Sequence, residues 1–441
     1  TPPAPPPTPS THHPSTPSLL PPLTPLLIAG ALMGLRLLGF LQPWELRAYD
    51  HLMRSRPAET ADPRLLVVEV TQADSDRYGY PLSDDTLATL LETLQALQPR
   101  VIGVDLHRAQ ARGMGRERLL AQFQQHPHLV IVCGFGAGDR TYGPPPEFSP
   151  EQAVQQVGFS DLLLDGQPRP ADSARTDLVH PQQASPIGDV VRRQLLSYDP
   201  TLAPVPSHCA TPYSLGLQLA FRFLAMDGVQ PLQVNEQGHW QLGTVALPAL
   251  PRRFGGYQNL NGLSNQILIN YRTAPPGQRV TLDQVLSGQI TAAAVQDQVV
   301  LIGTTAPIAR DSLVTPYGEM PGVWIHAHMV SQILSAVLDD RPLIWTLPQK
   351  GGVQWGDALW ILVWAAVGAG LPRLRRRWVW LAAQGGATLA LYYLCWVALL
   401  QGGWLPLVPS VLALWLTSGL LVGVRELKHS TVQRVALRAK V

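Results

Sequence analysis

The sequence predicts an α/β protein in which a mixed, largely parallel sheet with flanking helices is joined to four transmembrane helices. Three short apolar runs, at 65–70, 101–106 and 129–135, are typical of buried strands. Helix-length segments separate these runs, and this alternation is the βαβ pattern of parallel sheets. Four other stretches are nearly free of charge, and each has the roughly 20 residues that a helix needs to cross a bilayer.

The N-terminal segment 1–22 is dominated by proline, and the whole chain contains 42 prolines in 441 residues. Such a segment cannot bury an apolar core, so we expect a disordered chain or extended polyproline II. Because the sequence starts with Thr1 rather than methionine, a tethered domain could precede it. The formal net charge of +2 gives no reason to expect nucleic-acid binding.

The predicted transmembrane helices lie at 23–42, 353–371, 378–400 and 405–424. The first could be a signal peptide, but it has no basic leader and no obvious cleavage site, which favours an uncleaved anchor. Arg36 and Asp357 are expected near the outer ends of the first and second helices. There they could pair and lock the two helices together, or each could extend alone to the membrane surface.

Positive charge predicts the topology. The loop at 372–377 carries four arginines and the tail 425–441 is also basic, whereas the loop at 401–404 has no charge. Basic loops stay in the cytoplasm. We therefore expect a multi-pass inner (plasma) membrane protein with the 372–377 loop and the tail inside, and with a large extracytoplasmic domain at 43–350.

The first half of this domain is predicted to hold most of the parallel sheet. It begins with an amphipathic helix at 43–50, beside the membrane. After the first strand, a helix at 84–97 places five leucines on one face, and a helix at 115–125 separates the next two strands.

The second half is predicted to be mixed. A helix at 212–227 carries an apolar stripe, and alternating strands at 230–234, 238–248 and 266–272 are expected to add hairpins to the sheet. The run Val299–Ile302 reads as another buried strand, and an amphipathic helix is expected from about His328.

Polar residues after two predicted strands are candidates for a ligand site. Asp105 ends an apolar strand, where clefts open in parallel sheets, so Asp105, His107 and Arg108 could line a ligand cleft. Helix capping or a surface ion pair is the alternative. Asp161, Asp165, Arg192 and Arg193 lie on either side of the segment 166–187, and they could bind a polar ligand or pair with each other.

The paired histidines His326 and His328 raise the question of a metal. On a strand the two side chains would face the same side, and with Asp311 or Glu319 they could hold zinc, copper or nickel. The alternative, which we favour, is a histidine that hydrogen-bonds to the backbone, so the prediction includes no metal, no cofactor and no catalytic residue.

Two of the three cysteines, Cys133 and Cys209, fall in the predicted external domain, where a disulfide is chemically allowed. Cys133 lies inside a predicted buried strand, which favours an inert free thiol. The third, Cys395, lies in a predicted membrane helix.

Several motifs in order resemble the CHASE2 domain, an extracytoplasmic sensory module of bacterial membrane proteins, in a form associated with cyanobacteria. The matching motifs lie at 67–74, 80–84, 90–108, 157–161, 188–193, 266–272 and 297–337. The last joins a strand, a glycine turn, a Pro-Gly pair, two histidines and a helix, and the motif before it ends in Tyr271 and Arg272, further candidates for a sensing or structural role. The segment 166–187 departs from the pattern and is expected to be a surface insertion.

The resemblance implies a sensor that binds an unknown extracytoplasmic ligand, without enzymatic activity of its own. In similar proteins the output is a kinase, a nucleotide cyclase or a CHAT protease domain, so we expect an effector in the same chain or on a partner. A homodimer is expected, and nucleic acid is not. The alternative is an envelope assembly protein whose external domain binds another protein.

Overall fold

The computed structural model describes residues 20–135, 142–165, 189–199, 207–260, 264–374 and 376–438. The insertion predicted at 166–187 and most of the proline-rich segment 1–22 lie outside these ranges. The helices, in chain order, are α1 Leu20–Leu37, α2 Gln42–Arg54, α3 Gln72–Tyr78, α4 Asp84–Gln95, α5 Arg116–Gln125, α6 Pro150–Gln155, α7 Leu215–Met226, α8 Leu282–Leu286, α9 Gly322–Leu338, α10 Trp355–Gly370, α11 Arg377–Leu400 and α12 Leu407–Arg438.

The strands are short and come mostly from the middle of the chain. They are β1 Leu65–Val70, β2 Val101–Asp105, β3 Leu129–Cys133, β4 Val157–Phe159, β5 Leu163–Asp165, β6 Val190–Ser197, β7 Gln233–Val234, β8 Trp240–Leu242, β9 Val245–Leu247, β10 Asn265–Leu268, β11 Gln278–Thr281, β12 Val299–Thr304, β13 Ser312–Thr315, β14 Gly318–Pro321, β15 Trp345–Thr346 and β16 Gly403–Trp404.

The main sheet is parallel throughout, with the strand order β11-β1-β12-β2-β3-β4. Strand β12 lies between β1 and β2, so that Leu301 is paired with Val67 on one side and with Gly103 on the other. The predicted mixed α/β fold with a largely parallel sheet and flanking helices is therefore confirmed.

Alternating side chains of this sheet build two apolar cores. Val68, Ile102 and Ile302 face a core that includes α4, α5 and α8. Val67 and Leu301 face the opposite way, toward α7 and α9. Removing such a side chain from water stabilises the fold by about 1.5–3 kcal/mol, and burial on both faces explains why these strands read as continuous apolar runs.

Two smaller sheets correct the prediction that hairpins extend the main sheet. Strands β7, β8 and β9 form a separate meander, and β6 pairs with β5, β10 and β13 in a second sheet that the β13–β14 hairpin completes. The meander strands are only two or three residues long. Their apolar residues Leu242 and Leu247 pack into the core beside α7 and α9. This packing stabilises the meander without hydrogen bonds to the edge of the main sheet.

Helix α9 begins at Gly322, not near His328 as predicted. Pro321 precedes its first turn, and residues from Gly322 to Ala336 are buried on every side of the helix. A helix buried all round has no polar stripe, so periodicity could not mark where it begins. His326 and His328 therefore do not share a face, as they would on a strand, because residues two apart on a helix point about 200° apart.

The chain divides into two compact units. The larger comprises 36–357 together with 392–408, and so extends beyond the predicted external domain. The smaller comprises 1–35, 358–391 and 409–441. In the smaller unit, Ala29, Leu32, Ile361, Ala365 and Ala413 share an apolar cluster.

Three helices among the described residues are long and apolar enough to cross a membrane: Trp355–Arg373, Arg377–Leu400 and Leu407–Leu427. A fourth is counted only if Leu23–Leu37 and Gln42–Arg54, which are bent at the break between them, form one span. The predicted continuous helix at 23–42 is interrupted after Leu37 by a turn at Gly39, whose φ of +83° suits glycine. By length and composition the structure thus has three candidate spans, or four if the bent pair is one span.

Candidate functional site

Five titratable side chains gather where the parallel strands end. Asp105 is the last residue of β2 and His107 follows it, while Asp161 follows β4. Asp311 directly precedes β13, and His326 lies on α9. We call these five residues the carboxyl-edge cluster. The carboxyl ends of parallel strands are the usual place for ligand sites in α/β sheets.

One contact within the cluster and two contacts with its surroundings fix the positions of its side chains. The Nε2 atom of His326 lies 4.0 Å from an Asp105 carboxylate oxygen. The Phe135 backbone N–H donates to both oxygens of Asp161, at 3.0 and 3.2 Å. The Asp311 carboxylate packs so closely on Gly322 that a Cβ there would lie 2.7 Å from one of its oxygens.

The cluster extends from a buried base to solvent. His326 is 3% exposed, and the Asp105 side chain is 9% exposed. Asp161 and His107 are half-buried, and Asp311 is exposed. Exposure therefore increases from the Asp105–His326 pair to Asp311.

Burial changes the protonation of the cluster. It raises the pKa of Asp105 to about 7, and it raises the pKa of Asp161 to about 7 despite the hydrogen bonds from Phe135. The pKa of Asp311 is also raised, because its carboxylate loses hydration against Gly322 although the residue as a whole is exposed, and then by the charge of Asp105. Burial lowers the pKa of both His107 and His326 to about 4, so both imidazoles are neutral at pH 7.

Most buried carboxylates among the described residues are paired with an arginine, whereas the three aspartates of the cluster are not. Elsewhere the partners are close, as in Asp62–Arg64 at 2.7 Å, Asp84–Arg108 at 3.2 Å and Asp165–Arg192 at 2.7 Å. In the described part of the chain, no arginine or lysine forms an ion pair with Asp105, Asp161 or Asp311, and Asp105 contacts only the neutral His326. The Nδ1 atoms of His107 and His326 are buried without a hydrogen-bond partner there.

A family model for the CHASE2 domain matches residues 27–370. The chain belongs to the CHASE2 domain family. CHASE2 is an extracellular sensory domain rather than a catalytic one. Comparison with curated proteins and with solved structures gives no match.

The remaining residue of the predicted cleft lies apart from the cluster of this CHASE2 domain. The Arg108 guanidinium donates to the Leu82 carbonyl at 3.0 Å and forms an ion pair with Asp84 at 3.2 Å. Arg108 thus stabilises the start of α4 instead of lining a cleft.

Of the four residues on either side of 166–187, three form one ion-pair network. Arg192 donates to Asp50 and to Asp165 at 2.7 Å each, and Arg193 donates to Asp165 at 2.9 Å. Tyr257 also donates to Asp165. Asp161 is not part of this network, and the network's acceptors are already paired with arginines.

His328, Tyr271 and Arg272 form a separate group on the other side of α9. The ring of His328 packs edge-on against Tyr271 with centroids 4.9 Å apart, and its Nδ1 accepts from the Arg272 backbone N–H at 3.3 Å. Burial lowers the pKa of His328 to about 3. Glu319 is exposed on β14, and among the described residues no group of His, Cys, Asp and Glu is arranged to hold a metal ion.

Arg36 and Asp357 are in contact, at 2.7 Å, and both are buried. The same guanidinium donates to Glu45 at 2.9 Å, to the Gln354 side chain at 3.0 Å and to the Gly255 carbonyl at 2.6 Å. We call this group the Arg36 hub. It joins the end of α1, α2, a loop of the domain and the start of α10.

Sequence reasoning missed several residues of these networks, among them Glu45, Asp50, Asp62 and Glu69. One signal was available for Glu69, a lone charge in the apolar run LLVVEV, and the structure gives it a hydrogen bond from the Trp324 indole at 2.7 Å. Glu45 and Asp50 lie on the predicted amphipathic helix, but nothing in the sequence shows that their partners lie on other elements.

Cys133 and Cys209 form a disulfide, which corrects the expectation of a free thiol at Cys133. Cys133 ends β3, and Cys209 lies in the loop before α7. Both are fully buried, so burial of the strand residue did not exclude a bond. The disulfide joins the carboxyl edge of the main sheet, next to the cluster, to a segment 76 residues later.

Proposed function

We propose that this protein is a membrane-anchored sensor whose CHASE2 domain lies outside the cytoplasm, binds a small molecule or partner, and transmits the signal through its membrane helices to a cytoplasmic effector. The effector is in the same chain or on a partner, and the sensor acts as a homodimer. The observation that carries the proposal is the CHASE2 match, which spans the domain and most of both flanking apolar helices.

The loop between the last two membrane helices supports this topology. Strand β16 in this loop pairs with β15, and Trp404 packs against Tyr49 with ring centroids 4.6 Å apart. Such contacts require the loop and the domain to lie on the same side of the membrane. The charge pattern predicts this arrangement independently, since the uncharged loop is outside and the arginine loop is inside.

The disulfide provides a second line of support. Disulfides persist in oxidising compartments and are rare in the cytoplasm. A bond between Cys133 and Cys209, both in the same domain, therefore fits an extracytoplasmic location.

The proposal is tested by labelling single cysteines in intact cells with a membrane-impermeant maleimide. Gln237→Cys probes an exposed turn of the domain, and Arg376→Cys probes the arginine loop. The background carries Cys395→Ala and keeps the Cys133–Cys209 bond, because bonded sulfurs do not react. We expect labelling at 237 only, and at 376 after permeabilisation. Labelling at 376 but not at 237 in intact cells would place the domain in the cytoplasm and end the proposal.

A further inference from the structure

We propose that the carboxyl-edge cluster is the signal-input site of this sensor and that the cation it binds is a proton. The inference rests on the proposed function, because it names the stimulus that the external domain detects. It makes the protein a sensor of external pH.

The first argument is the convergence of unpaired negative charge. Asp105, Asp161 and Asp311 come from three separate segments of the chain. In the described part of the structure, none of them forms an ion pair with an arginine or a lysine. Asp105 and Asp311 repel each other, and a cation removes this repulsion, whereas the pKa of Asp161 is raised by its own loss of hydration. His326 is 3% exposed, and its Nδ1 has no hydrogen-bond partner among the described residues. Its imidazole is neutral at pH 7, so it supplies no positive charge to the aspartates.

The second argument concerns which cation fits. A metal ion needs ligand atoms that converge at about 2.0–2.6 Å. Two ligand atoms of one ion can themselves lie about 4 Å apart, so the 4.0 Å between His326 Nε2 and the Asp105 carboxylate does not decide the question. Among the described residues, however, no group of three or more His, Cys, Asp or Glu side chains is arranged to hold a metal ion. A proton needs only one oxygen, and it suits this geometry.

The charged neighbours of the cluster do not change this conclusion. Arg108, beside His107, forms an ion pair with Asp84. Glu69, near the end of β1, accepts a hydrogen bond from Trp324 and lies 3.5 Å from Arg279. Tyr198 interacts with Asp161, and burial raises the pKa of this phenol, so it stays neutral. Arg310 is exposed in the turn before Asp311.

The direction in which pH changes the stability of the fold follows from the shifted pKa values of the cluster. Asp105 and Asp161 have folded pKa values of about 7, above the ordinary 3.8. Their protonation therefore stabilises the fold at low pH, and this stabilisation is lost as the pH rises through about 7. His107 and His326 have depressed pKa values of about 4, so they oppose this effect as the pH falls through the ordinary imidazole value of 6.5, and at pH 6.5 they already offset part of it. The difference in pH response between the wild type and an Asp→Asn variant therefore isolates the contribution of that carboxyl group.

A change at the cluster has a route to the membrane helices. His326 lies on α9, which packs on β12 and β1 and leads through β15 to α10. Protonation removes repulsion between Asp105 at the end of β2 and Asp311 beside the start of α9, so it allows α9 to pack more tightly on the sheet.

The experiment compares thermal unfolding of the purified full chain in detergent at pH 6.5 and 8.5. For the wild type, protonation of Asp105 and of Asp161 should each raise the melting temperature by about 1–2 °C between pH 8.5 and 6.5, before the partial offset from the histidines. Asp105→Asn and Asp161→Asn mimic the protonated form, so each should lose its share of that rise. The matched control is Asp297→Asn, in an exposed turn with φ of +57° that asparagine tolerates, and it should behave as the wild type does.

Hydrogen exchange of α9 amides, corrected for intrinsic rates, provides the second readout. We expect slower exchange at pH 6.5 in the wild type and equal exchange at both pH values in Asp105→Asn. If a buried variant does not fold, Asp311→Asn at the exposed rim serves in its place.

Three results would overturn the proposal. The first is a pH response of the melting temperature that is the same in the Asn variants as in the wild type. The second is hydrogen exchange of α9 that does not depend on pH. The third is a melting temperature that Mg²⁺, Ca²⁺ or Zn²⁺ raises at pH 8.5 in the wild type but not in the Asn variants. The last result would assign the site to a divalent ion. Maleimide labelling does not depend on the pH response, so a failed proton site and a failed sensor topology give separate results.

Discussion

At the residue scale, the partner of a buried aspartate determines what the aspartate can do. Asp165 is held by two arginines and a tyrosine, and its charge is compensated in place. The Asp105 side chain is 9% exposed, and its neighbours are a neutral imidazole and the carboxylate of Asp311. The first arrangement keeps a permanent ion pair, whereas the second can change its charge state near pH 7.

The Arg192 network allows a direct test of this difference. Arg192→Met leaves Asp50 and Asp165 without their main partner in a buried place, so we expect a loss of about 3–5 kcal/mol in the free energy of unfolding. Chemical denaturation of the purified protein measures it.

The matched control for Arg192→Met is Arg118→Met. Arg118 also pairs with two acids, Asp85 and Glu92, but all three side chains are exposed. Exposed ion pairs contribute little to stability, so we expect no measurable change in the denaturation midpoint. An equal loss in both variants would contradict the role given to burial.

The sequence predicted some site residues better than their arrangement. Asp105 and His107 were predicted from their place after an apolar strand, and Asp311 and His326 from a motif. Nothing local indicated that these two pairs meet, because the contact joins residues more than 200 positions apart, such as Asp105 and His326. Position along the chain predicts which strand end a residue occupies, but not which distant segment faces it.

At the element scale, helices with one apolar face were predictable and the fully buried helix was not. Helix α4 shows Leu87, Leu91 and Leu94 on its buried side, and its predicted range of 84–97 is close to the observed Asp84–Gln95. Helix α9 offers no such contrast, and its first turns were assigned to a loop. The strand β12 was predicted, but its place between β1 and β2 was not, since an apolar run does not specify its neighbours.

The disulfide between β3 and the loop before α7 leads to a prediction at this scale. Reduction, or Cys209→Ala, should lower the free energy of unfolding by about 2–5 kcal/mol, because the bond closes a loop of 76 residues in the unfolded chain. Thermal unfolding with and without reductant measures the effect.

Cys395→Ala is the control for the disulfide, because Cys395 is the free cysteine. The response of this variant to reductant should match that of the wild type. If reductant leaves the wild type unchanged while Ellman's reagent detects the two released thiols, the bond does not stabilise the domain.

At the scale of the whole molecule, the CHASE2 domain is completed by residues far outside its predicted range. The larger unit includes 392–408, and Trp404 from this segment is 3% exposed and packs between Tyr49 and Tyr257. Hydropathy treats this segment as a short connection between two membrane helices, so the sequence could not reveal its role.

Trp404→Ala should therefore destabilise the domain, although residue 404 lies between two membrane helices in the sequence. Emptying a buried tryptophan site costs about 3–5 kcal/mol, and the loss should appear as a lower melting temperature. Trp378→Ala, at a position 84% exposed, is the matched control and should leave the melting temperature of the domain unchanged. If Trp404→Ala left the melting temperature unchanged, residues 43–350 would be stable without Trp404.

The position of β12 in the middle of the main sheet has a consequence for biosynthesis. Its neighbours β1 and β2 are made early, yet they have no contact with each other in the sheet until residues 299–304 arrive. The emerging chain therefore holds two open, apolar strand edges for most of its synthesis. The main sheet can therefore be completed only once almost all of the domain has been translated, since its central strand is among the last to be made.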